Sequence, residues 1–519
     1  MNALAESVAT TAPVRFLCVR AARMVDALDR LLAEDKVWVS AVFLVVALQA
    51  TLVLLHRPWL DEWQALQIAL QSPTFGDLLA NLRYEGHPPL WYLMLRASGA
   101  LFGAYLALPV TAALLAVPTQ ALIARASPFS RGERLLIATG AFMLFEFLTL
   151  SRSLTLGVAA LVFAMALWRH RSVWVMIALL PMCDFLFGAL SGILLILQWR
   201  DRRPWWPGIA LWLVSGVIAA WTVIPAPDMI PALEHKGLLL SLADYLASMG
   251  LLALPLQWGE HGPSWNGGAP FGLGGFVGIL FLLFAATQLR HDRMARALFW
   301  GFVALTLVFS VAVYPLPSRH LMLIALLLIL LTWRGAADRM IRPSAGFRTW
   351  LVVGSGCGLF VAAWSFVMPF DTADEAGRAI VSRGLADKHW MVFPDSRAQG
   401  VSALTGIAFE RTDTRCMENF IRWNFRSALR DPKRLTAYLR HEAATRGRFY
   451  LLSDLPLSMT VPRDVLRPIT HIPAGYDGFD YYLFTVGPDR PEMRERTRLC
   501  VPHQRPLRGE PLLATRSRS

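Results

Sequence analysis

The chain has 519 residues, of which 55% are apolar and 17% charged, with a mean hydropathy of +0.44 and a formal net charge of +13. That is too apolar for a water-soluble globule of this length, so the expected fold class is a multi-pass α-helical membrane protein with a small extracytoplasmic α/β domain. The positive balance does not indicate nucleic acid, because Lys and Arg cluster between apolar windows and in a C-terminal tail, as in a protein lying beside anionic lipid.

Residues 1–36 carry Arg15, Arg20, Arg23, Arg30 and Lys36 but no long apolar core, which is unlike a cleavable signal peptide. The pattern Val14, Leu17, Met24, Val25, Leu28, Leu31 and Leu32 predicts an amphipathic helix on the cytoplasmic surface. Residues 37–369 read as the transmembrane domain. Its clearest apolar windows are Val37–Leu55, Leu106–Ala124, Pro207–Ile224, Phe271–Leu289, Ala297–Tyr314 and Trp350–Met368. Shorter or interrupted windows bring the expectation to about ten to twelve crossings. Leu90–Phe102, which contains Arg96, either crosses or lies along the outer interface. Ser172–Pro181 and Phe185–Gln198 are read as a short helical hairpin.

Arginine-rich loops stay cytoplasmic. Applied to Arg125–Arg134, Arg169–Arg171, Arg200–Arg203, Arg290–Arg296 and Arg334–Arg348, the rule puts the N-terminus inside and residues 315–320 outside. Everything after Met368 then lies outside, in the periplasm of an inner-membrane protein. Residues 370–487 change character, with strand-like runs at Trp390–Phe393, Phe449–Leu452 and Tyr481–Val486 and a predicted helix over Arg422–Arg440. Residues 488–519 form a basic tail expected to be disordered. The five cysteines show no metal-ligand spacing, and Cys416 and Cys500 can pair if their region is periplasmic.

Two motifs carry the chemistry. Directly after the first crossing, in a first outer loop spanning 56–87, the chain reads His56-Arg57-Pro58-Trp59-Leu60-Asp61-Glu62-Trp63. An acidic dipeptide in a loop is as often a solvated turn or a helix cap. The functional reading gains from a second cluster, Tyr84-Glu85-Gly86-His87-Pro88-Pro89-Leu90-Trp91-Tyr92, which returns the chain to the membrane through a stiff Pro-Pro step.

An Asp-Glu pair past the first helix, a helical loop, and then His-Pro-Pro-Leu followed by aromatics resembles the C-type (GT-C) superfamily of membrane glycosyltransferases. Within it, the chain looks like the protein O-mannosyltransferase and aminoarabinose-transferase branch. The likeness covers residues 37–369 and is sharpest over 58–92. It implies that Asp61 is the catalytic or metal-binding carboxylate, with Glu62 beside it; as a base, such a carboxylate takes the acceptor proton as polyprenyl phosphate is displaced from the sugar with inversion. It also implies that His87, with the basic-aromatic Arg319 and His320, grips the leaving phosphate.

Arg152, Glu85 and Trp258 complete the candidate set: Arg152 as a cation, Glu85 as a substitute second carboxylate, Trp258 as a sugar-stacking ring. Asp184 and the Glu260-His261 pair are further substitutes, and Trp265 and Asn266 further sugar contacts. Relatives carry an acidic residue shortly after the position of Arg152, and this chain lacks it. No cofactor is certain and a divalent metal stays open. The expected partners are the lipid bilayer, a polyprenyl-phosphate-linked sugar and an unidentified envelope acceptor, which is a glycolipid, a polysaccharide or a protein. The competing functions are a polytopic transporter or lipid flippase, which needs ionisable groups at mid-membrane, and a non-enzymatic scaffold.

Overall fold

The computed structural model describes residues 12–202, 204–230, 237–259, 262–338, 341, 343–394, 398–412, 414–425, 428–488, 498–501 and 513. Most of the basic tail and the Glu260-His261 pair lie outside the described residues. The chain divides into two compact units. Unit 1 comprises Met1–Leu55, Ala112–Trp221 and Pro231–Val367; unit 2 comprises His56–Thr111, Thr222–Ile230 and Met368–Ser519.

Unit 1 is helical. Among the described residues of both units, five helices are long and apolar enough to cross a membrane: Asp35–Leu55, Ala104–Ala126, Arg293–Ala312, Ser318–Ala337 and Ala345–Val367. Six shorter apolar helices accompany them, among them Ser153–Ala166, Trp206–Thr222 and Leu238–Ala253. At 1.5 Å per residue the thirteen-residue Leu90–Phe102 helix is about 20 Å long, short of the roughly 30 Å of a hydrocarbon core. The Ser318–Ala337 helix is buried on all sides from His320 to Gly335, as befits a helix that is apolar around its circumference.

Small residues let helices approach closely. A Cβ at Gly250 or Gly274 would collide with the facing backbone of Leu238–Ala253 and Gly274–Gln288, and one at Gly157 would collide with the ring of Phe187. The first helix, Ala12–Leu31, splits its apolar residues. Ala21 and Val25 are buried, whereas Leu17, Met24 and Leu31 stay exposed beside Arg20, Arg23 and Arg30.

Three helices, Ser153–Ala166, Phe185–Asp201 and Ser318–Ala337, begin close to one another, and past their far ends lies an ion network. There Arg334 donates to Asp201 at 2.8 Å and to Asp338 at 2.6 Å, and Arg200 reaches Asp292 at 3.0 Å. Trp168 donates its indole N–H to Asp201 at 3.0 Å. Phe129 touches both Trp333 and Phe347, which brings the Arg348–Glu133 pair, at 2.8 Å, to the same end. A two-stranded hairpin, β1 (Trp258–Gly259) and β2 (Gly262–Pro263), lies in the loop between Leu238–Ala253 and Gly274–Gln288.

Unit 2 holds the stretch His56–Thr111 together with an α/β sheet. Its strands are β3 (Trp390–Val392), β4 (Phe409–Arg411), β5 (Cys416–Glu418), β6 (Phe449–Ser453), β7 (Leu466–Ile472), β8 (Tyr481–Val486) and β9 (Arg498–Leu499), in the order β7-β8-β6-β3-β4-β5-β9. The centre, β6-β3-β4, is parallel, and β8 and β5 flank it antiparallel. Alternation along β3 sends Met391 into a core with Leu435, Leu439, Phe449, Leu451 and Phe484, while Trp390 meets Phe409 and Tyr450 on the other side.

The helix expected over Arg422–Arg440 instead runs from Pro432 to Arg446. Pro432 cannot sit inside a helix without losing a backbone bond, so it becomes the first helical residue, with Asp431 capping the Lys433 N–H at 3.3 Å. Gly447, at φ +85, ends it. Cys416 and Cys500 are joined in a disulfide that ties β5 to the segment after β9.

Candidate functional site

The expected site residues fall in both units: Asp61, Glu62, Glu85 and His87 in unit 2, and Arg152, Trp258, Arg319 and His320 in unit 1.

In unit 2 the Leu60–Gln71 helix starts where Glu62, at its third position, turns back to accept the Trp59 backbone N–H at 3.0 Å. The same oxygen lies 2.7 Å from His56 Nε2, and Glu62 is fully buried. His56 in turn packs its ring on Phe370, with centroids 5.0 Å apart. Neighbouring residues on a helix point about 100° apart, so Asp61 faces elsewhere, and it is half-buried. The two adjacent carboxylates therefore point in different directions, and Glu62 holds the start of the helix.

The second motif is fixed by long-range polar contacts. Glu85 accepts from Gln64 at 2.8 Å, and Gln64 also exchanges two hydrogen bonds with the backbone of Ile421. Tyr84 donates to Asp228 at 2.8 Å, which holds that exposed carboxyl below the usual carboxylate range. Arg422 donates to Asn81 at 2.6 Å and lies over the Tyr84 ring. His87, half-buried, follows Gly86 at φ +69, a backbone state that favours glycine, and precedes the Pro-Pro step into Leu90–Phe102. Arg96 donates to the Ser72 and Thr74 carbonyls at 2.6 and 3.4 Å just past the Leu60–Gln71 helix, a structural role.

Arg57 binds both Asp374 and Glu375. Burial, together with the hydrogen bond it shares with Glu375, pushes the Asp374 carboxyl up to about 6.

Unit 1 assembles a second group from three helix starts. Arg152 is the N-cap of Ser153–Ala166, Asp184 is the N-cap of Phe185–Asp201, and Arg319 and His320 stand in the first turn of Ser318–Ala337. Asp184 accepts the Leu186 N–H at 3.0 Å. Phe185 and His320 stack with centroids 6.4 Å apart. The guanidiniums of Arg152 and Arg319 both act electrostatically on Asp184 and on Glu146. Glu146 comes from a π-helical segment, Phe142–Phe147, and accepts the indole N–H of Trp265 at 2.9 Å. The Trp265 ring lies under Arg319, whose Cζ is 5.5 Å from its centroid. Glu146, Asp184, Trp265 and His320 are buried, and the two arginines half-buried.

Helix N-termini carry partial positive charge and leave N–H groups for a ligand, and guanidiniums present flat forks to oxyanions. Here three such termini come together with two arginines and two carboxylates, Glu146 and Asp184. Sequence reasoning found Arg152, Asp184, Arg319 and His320 but not Glu146, the one acid in the run Phe142-Met143-Leu144-Phe145-Glu146-Phe147. A lone acid in so apolar a segment is itself a functional signal. Trp265, expected to stack on sugar, is instead buried between Glu146 and Arg319. Trp258 stands on β1 with its side chain 45% exposed.

Among the described residues no group of three or more His, Cys, Asp and Glu side chains is placed to hold a metal ion. No family model, curated protein or solved structure matches this chain.

Proposed function

We propose that the chain is a membrane glycosyltransferase that moves a sugar from a polyprenyl-phosphate-linked donor to an envelope acceptor at the outer face of the inner membrane. The observation that carries this reading is the meeting of Arg152 and Arg319 at three helix N-termini, with His320 in the same group. A leaving polyprenyl phosphate develops negative charge on its oxygens as the glycosidic bond breaks. Fixed cations and backbone N–H groups stabilise that added charge more than the single charge of the intact phosphodiester donor. Asp61 takes the role of base toward the acceptor hydroxyl, with Glu62 reserved for the helix cap. His87 and Glu85 are assigned to donor or acceptor binding.

The orientation follows from charge. The arginine-rich helix ends, where Arg200, Arg334 and Arg348 sit in ion pairs, go to the cytoplasm, and the anion site goes outside. The Cys416–Cys500 disulfide fits an oxidising compartment for the C-terminal sheet. The test is chemical complementation. Mass spectrometry of envelope lipids and polysaccharide identifies the glycoform lost on deletion. Wild-type chain is expected to restore it, whereas D61N restores less than about 1% of it, general-base catalysis contributing about 10²–10⁴-fold. Full restoration by D61N overturns the assignment.

A second reading, a lipid-phosphate flippase, draws on the same buried ionisable group, since such residues inside a helical membrane unit also mark transport paths. It predicts transbilayer movement of a fluorescent polyprenyl phosphate in proteoliposomes that is lost in R319A and unaffected by D61N.

A further inference from the structure

We infer that Glu146 is a positioning residue: acting through the indole of Trp265, it sets the Arg319 guanidinium for a phosphate-bearing ligand, an inference that rests on reading the Arg152–Arg319 group as a phosphate site. Among the described residues the Glu146 carboxylate makes a single hydrogen bond, from Trp265 Nε1 to Oε2 at 2.9 Å; Oε1 is buried and has none. A carboxylate buried to 6% exposure is costly to keep in an apolar helical unit, and one bond to an indole does not compensate it. What remains is the field of the two arginines, so the acid belongs to their electrostatics.

The geometry also shows how it acts. Both Glu146 and Trp265 are locked by burial, and the whole π-helical segment Phe142–Phe147 is buried with them. π turns insert an extra residue into the helical repeat and recur at functional sites. The carboxylate fixes the indole by its N–H edge. The face of that ring then lies 5.5 Å from Arg319 Cζ, a cation–π arrangement. Arg319 is long and flexible. The ring face is one of the contacts that orient its fork for two-pronged phosphate binding.

The test uses the full chain in detergent micelles, titrated with farnesyl monophosphate and followed by native mass spectrometry, with thermal unfolding midpoints recorded alongside. Wild-type is expected to bind and R319A to lose most binding. E146L and W265F are each expected to weaken binding about tenfold, and the double variant no further, because both remove one coupled arrangement. E146Q keeps an acceptor for the indole N–H and should stay within about threefold of wild-type. A loss in E146L or W265F that E146Q rescues, at unchanged midpoint, distinguishes positioning from a general structural role.

If R319A abolishes binding while E146L and W265F bind like wild-type, the positioning role fails and the phosphate site stands. Equal loss in E146Q and E146L at unchanged midpoint also overturns it. If wild-type does not bind the probe, or R319A binds as wild-type does, the phosphate site itself fails and the inference with it.

Discussion

Two buried glutamates, one in each unit, are held in opposite ways. Glu410 on β4 has no exposed surface, and Arg446 donates to both its oxygens, at 2.9 and 2.8 Å, while His389 Nε2 lies 2.6 Å away. Burial alone would raise this carboxyl, but His389 and Arg446 outweigh it and hold it below the usual range. Glu146 in unit 1 has one indole N–H and an oxygen without a hydrogen bond. A fully compensated buried acid serves the scaffold; an incompletely compensated one, set among arginines and helix N-termini, is what the proposed positioning role requires.

The comparison breaks most visibly at Glu410. E410L leaves Arg446 and His389 facing an apolar side chain, and uncovering one partner of a buried ion pair costs about 3–5 kcal/mol. The expected outcome is a large drop in the unfolding midpoint of unit 2 with farnesyl monophosphate affinity unchanged; intact stability in E410L together with collapse in E146L would reverse the roles. The pH dependence has a definite sign. Because the folded Glu410 carboxyl lies below its ordinary value of 4.5, its stabilising contribution is complete above that value and is lost as the pH falls through the folded one. E410Q should therefore flatten the acid side of the stability profile, which chemical denaturation at a series of pH values measures.

A somewhat smaller effect is expected at the disulfide. Cys416 and Cys500 close a loop of sequence separation 84 between β5 and the segment after β9, and such a link stabilises mainly by restricting the unfolded chain, by about 2–4 kcal/mol. C416S paired with C500S should lower the unit 2 midpoint and make it insensitive to reductant. Phosphate-probe binding by unit 1 should not change. If the double variant keeps the wild-type midpoint, the bond contributes nothing to stability.

What was readable in the sequence was local. Leu90–Phe102 has its predicted bounds because Pro89 precedes it and Gly103, at φ +87, ends it. The strands at Trp390, Phe449 and Tyr481 follow from runs of aromatic and branched residues, and the disulfide from two cysteines in one polar region. The helix expected over Arg422–Arg440 starts only at Pro432, because proline opens a helix and does not continue one. The acid at Glu146 stands out in its apolar run, but its pairing with Trp265, 119 residues away, has no local periodicity to announce it. The grouping of His56–Thr111 with the C-terminal sheet has the same origin: it is written in pairs such as Gln64–Ile421 and Asn81–Arg422, which only folding brings together.

The smallest effect separates Asp61 from Glu62, and it decides whether the acidic pair is one functional group or two. Glu62 accepts the Trp59 N–H and meets His56, so E62A removes a helix cap and strips a buried histidine of its partner, a loss of about 1–2 kcal/mol in stability. E62Q retains an acceptor and should lose less. In the complementation assay both variants should restore the glycoform to within about threefold of wild-type once expression is matched, because the free energy they remove is spent on folding and not on the transition state. D61N, which leaves the cap and the His56 contact in place, should give almost no product once expression is matched. Should E62Q abolish product at normal stability, the capping geometry would be secondary and both carboxylates would belong to the chemistry.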